Sequence, residues 1–227
     1  MKNLVIILIG FLPVLGFTQT EEVVINKNIQ ALRISAGIQV ELTTNAKVNK
    51  IEADKRVLEA INYKVSDYEL KIGLSLETIF DGDFPLKLKV YTKNIDRLNA
   101  VQGSTVEIQN LIKTDRFFVR ATEGSIVSGE FKTQSLELKA LSGGIIDISG
   151  KSKDQDVLVN TGGEYKGKKL KTENTTVKVT YGGNAVVFVT ENCEAKIVVG
   201  GNIDVYGNPK YVNEKTTFGG KVNIFKD

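Results

Sequence analysis

The sequence predicts an all-β chain folded as a β-solenoid, with coils of about 20 residues and an irregular N-terminal cap. Three observations carry this. A Gly-containing doublet recurs through the second half, its first residues lying 21, 19, 19, 20, 18 and 19 positions apart. Apolar residues fall into columns at fixed distances from the doublet, with a period of two. The stretch is rich in Val, Ile, Thr and Tyr, and a period near twenty is too short for a helical repeat.

From the start of the chain, Lys2 precedes an apolar run from Leu4 to Phe17, with polar Gln19-Thr20-Glu21-Glu22 after it. This reads as a secretory signal peptide over residues 1–18, too short and too broken by Pro13 and Gly16 for a spanning helix. Small residues favour cleavage after Thr18, with Gln19 nearly as good. No Cys stands at the junction, so a lipid-anchored route is not indicated. The expected location is the periplasm, the outer cell surface or the extracellular space.

Residues 19–97 lack the doublet and read as a cap with the first irregular coils. Strands are expected near Glu22–Ile25, Gln30–Ile34, Ile38–Thr43, Val48–Ala53, Asn62–Val65, Glu69–Leu76 and Leu86–Thr92. Asp54 before Val57, Leu58 and Ile61 predicts one short helix with an acidic N-cap. The loop Glu77–Pro85, with Asp81 and Asp83, reads as exposed. The whole portion is expected to cover an end of the solenoid that would otherwise present unpaired strand edges.

Residues 98–227 form the regular coils. Their doublets are Gly103-Ser104, Gly124-Ser125, Gly143-Gly144, Gly162-Gly163, Gly182-Gly183, Gly200-Gly201 and Gly219-Gly220. Gly supplies the positive φ and close approach of a repeated corner. Downstream, Val106, Val127, Ile146, Tyr165, Ala185, Ile203 and Val222 form one inward column, and Ile108, Gly129, Ile148, Gly167, Val187, Val205 and Ile224 a second. Upstream run Ala100, Ala121, Ala140, Val159, Val179, Ile197 and Thr216, beside Leu98, Val119, Leu138, Val157, Val177, Ala195 and Glu214. Each coil therefore holds two short strands, and neighbouring coils stack at about 4.8 Å to fill an interior no single coil builds alone. The polar Glu214 and Thr216 mark a terminal cap.

The single Cys193 excludes an intramolecular disulfide. It falls in a column with Phe117, Leu136, Gln155, Thr175 and Val212, half apolar, and so reads as a buried structural thiol.

Several segments also carry a resemblance: Gly37-Ile-Gln-Val-Glu-Leu42, Ile51-Glu-Ala-Asp54, Leu70-Lys-Ile72, the repeated Gly turns, and Val205-Tyr-Gly-Asn-Pro209 before Phe218-Gly-Gly220. In that order they resemble the putative auto-transporter adhesin, head GIN domain family, over nearly all of the chain past the signal. The resemblance implies a right-handed parallel β-helix, a secreted or envelope-associated location and an adhesion or binding role. It implies no catalytic residues.

Composition narrows the chemistry. Removing the signal leaves 29 basic against 27 acidic residues, so bulk attraction to nucleic acid is not supported. The chain has no His, which excludes His-based triads and His-ligated zinc. The Gly doublets lie between strands, so no phosphate loop is present. No cofactor and no metal are expected: Asp81, Asp83, Asp154 and Asp156 occur as Asp-x-Asp pairs without the remaining ligands of a calcium loop. Asn174-Thr175-Thr176 matches a glycosylation sequon and carries little weight.

The enzymatic alternative is a polysaccharide lyase or hydrolase. The outward column Glu107, Ser128, Asp147, Lys166, Val186, Asp204 and Asn223 separates its carboxylates by two or three coils, about 10 to 14 Å, against 5 to 9.5 Å in glycosidases. Asp147 beside Lys166 reads as a solvated charge pair. The favoured function is binding of a polysaccharide or cell-surface glycan along an extended strand face, where many weak contacts add. The candidate ligand residues are Arg120, Lys139, Lys178, Lys196 and Lys215, an outward basic stripe that also contains Asn99 and Leu158. Glu137, Asp156 and Glu194 in the adjoining column partly neutralise it, and the stripe also reads as an ordinary solvated face whose lysines guard against edge pairing, the reading that the stripe taken alone favours.

Overall fold

The computed structural model describes residues 20–75 and 85–226. The signal segment and the Asp81-Gly82-Asp83 loop lie outside the described residues. The chain is a β-solenoid of about 7 turns with coils of about 19 residues. Its regular part runs through β8 (Arg97–Ala100), β9 (Thr105–Ile108), β10 (Ile112–Thr122), β11 (Ile126–Leu141), β12 (Ile145–Asn160), β13 (Glu164–Thr180), β14 (Asn184–Val199), β15 (Asn202–Tyr206), β16 (Tyr211–Phe218) and β17 (Lys221–Ile224). Every pairing among them is parallel.

Two short strands per coil is an underestimate. From β11 to β14 the backbone stays paired almost from one turn to the next, so each coil is a ribbon bent around the core. The bend shows in the pairing, which skips from Thr133↔Ser152 to Ser135↔Asp154. Inward alternation also shifts there: Phe131 and Thr133 are buried before the break, Leu136, Leu138 and Ala140 after it.

The corner is a turn of two successive residues at positive φ. In the first regular coil these are Gln102 (55°) and Gly103 (71°), and the Ser104 N–H donates to the Val101 carbonyl at 3.3 Å. This is the arrangement of a type I′ turn, whose twist suits parallel stacking of right-twisted strands. The pair thus lies one place upstream of the doublet. From Gly103 to Gly182 the second left-handed residue is the first Gly of the doublet, and at the last two corners both doublet glycines are left-handed, Gly200 (60°) with Gly201 (99°) and Gly219 (71°) with Gly220 (105°), since Gly takes this conformation without a Cβ penalty.

The doublet's second position obeys a different constraint. Gly144 has no positive φ, yet a Cβ there would lie 2.2 Å from the Ala121 carbonyl oxygen of the preceding coil. At the equivalent place Ser125 instead sets its Oγ 2.6 Å from the Ala100 carbonyl, and Ser104 bonds the Ile34 carbonyl at 3.1 Å. A small side chain is accepted where its hydroxyl converts the close approach into a hydrogen bond.

The core follows the columns. Apart from the last coil, the inward positions are buried; Gly129 is half-buried, and a Cβ on it would stand 2.7 Å from that of Ile108. Gly167 makes room for the Tyr165 ring, whose hydroxyl would be 2.3 Å from an added Cβ. Tyr165 is fully buried and donates to Gln155 Oε1 at 2.8 Å. Gln155 Nε2 in turn donates to Thr175 Oγ1 at 2.8 Å, and Thr172 Oγ1 lies 2.8 Å from Thr175 Oγ1. A buried polar cluster with its partners met can fix the packing of one coil on the next. Cys193 is buried in the same column, as expected, and burial pushes its thiol up to about 11.

The last coil corrects one assignment. Ile224, expected inward, is 42% exposed, and Glu214 and Thr216 are exposed as well, because β16 pairs only with β14 and β17 only with β15. That end of the described residues is an open edge with polar residues in its inward columns.

At the other end all seven expected strands form, as β1 (Thr20–Val24), β2 (Ala31–Ile34), β3 (Gln39–Thr43), β4 (Lys50–Asp54), β5 (Ile61–Ser66), β6 (Glu69–Leu74) and β7 (Lys87–Tyr91). The helix α1 (Lys55–Ala60) is capped by Asp54, whose Oδ1 accepts from the Arg56 N–H at 2.9 Å. The order in space differs from the order in sequence. β2 lies between β6 and β8, and β3 between β7 and β9. Leu32 stacks on Leu98 and Val40 on Val106, around a turn with Ala36 (62°) and Gly37 (71°) left-handed. This is a further regular coil, separated from the rest by an insertion. The insertion folds back to cover it with β6 and β7, extended antiparallel by β5 on one side and by β4 and β1 on the other.

Candidate functional site

The structure brings the basic stripe into one line. Arg120, Lys139, Leu158, Lys178, Lys196 and Lys215 are successive register partners across β10, β11, β12, β13, β14 and β16. One of its charges is compensated directly, while among the described residues Arg120, Lys178, Lys196 and Lys215 are in no ion pair. Lys139 Nζ pairs with Glu137 at 2.7 Å and lies over the Phe118 ring at 5.2 Å. Glu137, Asp156, Thr176 and Glu194 form the adjoining register column. Asp156 and Glu194 also line a shallow groove of about 380 Å³ with the amides of Gln155, Asn174 and Asn192.

A second basic column escaped the sequence reading. Lys113 pairs in register with Lys132, Lys132 with Lys151, and Lys151 with Lys171. All four are exposed, and among the described residues none of them is in an ion pair. They flank a groove of about 590 Å³, the largest of those described, beside Lys153, Asp115 and Glu173. Its base is a row of hydroxyls: Thr133 Oγ1 donates to Ser152 Oγ at 2.9 Å, and Ser152 Oγ to the Asp154 carbonyl at 2.8 Å. The column was missed because its offset from the preceding doublet varies, at 10, 8, 8 and 9, as coils differ in length. One such difference is the irregularity after Asp147↔Lys166, where Ser149 pairs with Lys169. Counted back from the following doublet, all four lysines stand at position 11, a signal present in the sequence.

The carboxylate column that would serve an enzyme holds Glu107, Ser128, Asp147 and Lys166 in register. Lys166 does not pair with Asp147 as expected; it turns to Glu164 of its own strand at 3.4 Å. Alternate residues of one strand share a face, so Glu164 competes with the cross-strand Asp147 for the Lys166 ammonium. Asp204 accepts from Asn223 Nδ2 at 2.8 Å. Asp154 accepts from Asn174 Nδ2 at 2.8 Å, and Asn174 Oδ1 from Asn192 Nδ2 at 2.7 Å, so the Asp-x-Asp acid and the sequon asparagine belong to one amide ladder. Among the described residues no group of three or more Asp, Glu or Cys converges as a metal site, and no helix is long and apolar enough to cross a membrane.

Regular rungs, outward side chains in register and grooves along the strand faces define the class as a β-solenoid. The chain belongs to the putative auto-transporter adhesin, head GIN domain family, which matches residues 28–209. Its fold is shared by a putative adhesin from Bacteroides fragilis, at 15% identity and a TM-score of 0.81 over 91% of this chain and 96% of that one. A putative adhesin from Parabacteroides merdae is 20% identical, with a TM-score of 0.67 over 92% and 96%. A protein from Parabacteroides distasonis described as a putative lipid binding protein is 18% identical, with a TM-score of 0.68 over 92% and 96%. No curated protein matches the chain. The family and the adhesin neighbours bear the names of binding proteins rather than of enzymes.

Proposed function

We propose that this protein is exported by its N-terminal signal and acts at the cell envelope as an adhesion module that recognises a surface glycan along an outward strand face. The observation that carries the reading is the register of outward side chains. Equivalent groups recur at about 4.8 Å on coil after coil, so a polymer with its own repeat meets them many times. Arg120, Lys139, Lys178, Lys196 and Lys215 supply repeated hydrogen-bond donors on one such face. The family's adhesin character supports a surface or extracellular role.

A glycan array probed with the purified protein tests this reading, run beside an assay for new reducing ends and unsaturated products. Binding without product is expected. Product formation would replace adhesion with the polysaccharide-cleaving alternative, and failure to bind any glycan would remove glycan recognition. Mass measurement of the exported protein checks the signal, with Gln19 the expected first residue.

A further inference from the structure

We propose that the groove flanked by Lys113, Lys132, Lys151 and Lys171 binds a linear acidic polysaccharide, one carrying carboxylate or sulfate groups along its length. This rests on the glycan reading above and assigns it a different set of residues.

The first argument is an uncompensated electrostatic cost. Like charges stacked directly across neighbouring strands destabilise a sheet, and here four lysines stack without an ion-pair partner among the described residues. Lys139 and Lys166 are answered by Glu137 and Glu164; Lys178, Lys196 and Lys215 also stack without an ion pair among the described residues, but beside a column that holds Glu137, Asp156 and Glu194. An anion supplied from outside would relieve the repulsion in this column.

The second argument is localisation. Five lysines line the groove against two carboxylates, an excess of three cations in a chain whose whole formal charge is +3. On a near-neutral protein a local excess of cations in one cleft attracts a polyanion there more than over the surface at large.

The third argument is shape and chemistry. Four rungs span roughly 14 Å at the strand spacing, so the site takes a stretch of polymer and not a single ion. Its volume of about 590 Å³ falls in the range of ligand clefts. Exposed Gln134 and half-buried Thr114 and Thr190 add neutral hydrogen-bonding groups suited to sugar hydroxyls. The column then changes character. Phe188 and Tyr206 succeed Lys171 in register, with Lys168 over the Tyr206 ring at 3.9 Å and Phe225 stacked on it at 4.5 Å. Both faces of Tyr206 are thereby occupied, and the basic run ends at the fourth rung. Lys171 lies over the neighbouring Phe188 ring at 5.6 Å, so the rings that adjoin the basic run already carry a cation or another ring, which favours a polysaccharide over stacked bases of single-stranded nucleic acid.

The test compares the wild type with Lys113→Gln/Lys132→Gln/Lys151→Gln, with the stripe variant Lys139→Gln/Lys178→Gln/Lys196→Gln, and with Lys47→Gln/Lys55→Gln/Lys64→Gln on the N-terminal cap as a charge-matched control. The probes are polygalacturonate, dextran sulfate, neutral dextran and a single-stranded oligonucleotide, at low and moderate salt. The proposal expects salt-sensitive binding of an acidic polysaccharide by the wild type and the cap control. In the groove variant, binding weakens by about tenfold or more while melting is unchanged or raised. Wild-type affinity in the groove variant overturns the proposal, as does loss confined to the stripe variant. An oligonucleotide that competes as well as the acidic polysaccharide overturns the polysaccharide assignment. If the array finds neutral glycans alone, the groove proposal falls and the broader glycan reading stands.

Discussion

Gly143 and Gly144 are neighbours with opposite reasons for being glycine, and substituting each by Ala separates the two. Gly143 has φ +75° and its nearest neighbour to an added Cβ is 3.9 Å away, so the methyl fits and only the left-handed backbone resists it. That penalty is about 1 to 2 kcal/mol. Gly144 has ordinary φ, but its Cβ would sit 2.2 Å from the Ala121 carbonyl oxygen and 2.5 Å from the carbonyl carbon. Both are backbone atoms fixed by the coil-to-coil ladder, so no rotamer change relieves the contact. Separating the coils locally costs about 3 kcal/mol, the upper range for overpacking. Gly144→Ser should recover about 1 kcal/mol of this, one hydrogen bond, because Ser125 at the equivalent corner bonds the Ala100 carbonyl at 2.6 Å. Equilibrium urea unfolding measures the series, and at an m-value of about 2 kcal/mol/M the Gly144→Ala midpoint should fall by about 1.5 M. A larger loss for Gly143→Ala than for Gly144→Ala, or for Gly144→Ser than for Gly144→Ala, would refute the division of labour between the two positions.

Tyr165→Phe should lower stability by about 1 to 3 kcal/mol, because Gln155 Oε1 would lose its donor inside the core; thermal melting checks this. Cys193 should resist thiol reagents in the folded protein at pH 8 and react once denatured, as a colorimetric thiol titration will show. Its folded pKa is raised from 9.0 to about 11, so its contribution is intact below pH 9 and lost as pH rises to about 11, amounting to about 3 kcal/mol; urea titrations across that window read it. Burial also raises Tyr165 above its ordinary 10.0, so it adds to the same alkaline loss. Leu98→Ala should cost about 2 to 5 kcal/mol, since Leu98 is fully buried between Leu32 and Val119 where the N-terminal coil joins the rest; calorimetry checks it.

The sequence by itself determined the repeat, its period, the inward columns, the capped helix at Asp54 and the strands of the N-terminal portion. These depend on spacing along the chain and on the two-residue alternation of strands, which sequence displays directly. It also placed Arg120, Lys139, Lys178, Lys196 and Lys215 in one line, because no residue is gained or lost between those positions and the next doublet. Tertiary structure alone decided what lies beyond fixed offsets. The coil formed by β2 and β3 stacks on Leu98 and Val106 from 66 positions away, which no local period reports. Unequal coil lengths, at Lys113 and again at the extra residue of β13 before Lys171, moved the Lys113, Lys132, Lys151 and Lys171 column off a fixed count from the preceding doublet, although hydrogen-bond register restores it. Which cations find an acid is likewise settled in space: Lys139 meets Glu137 two residues along its own strand, while the four register-stacked lysines of the groove have no ion pair among the described residues. Side chains two apart share a face, but which residues lie across the next coil depends on where each ribbon bends, and that is fixed only when the coils pack.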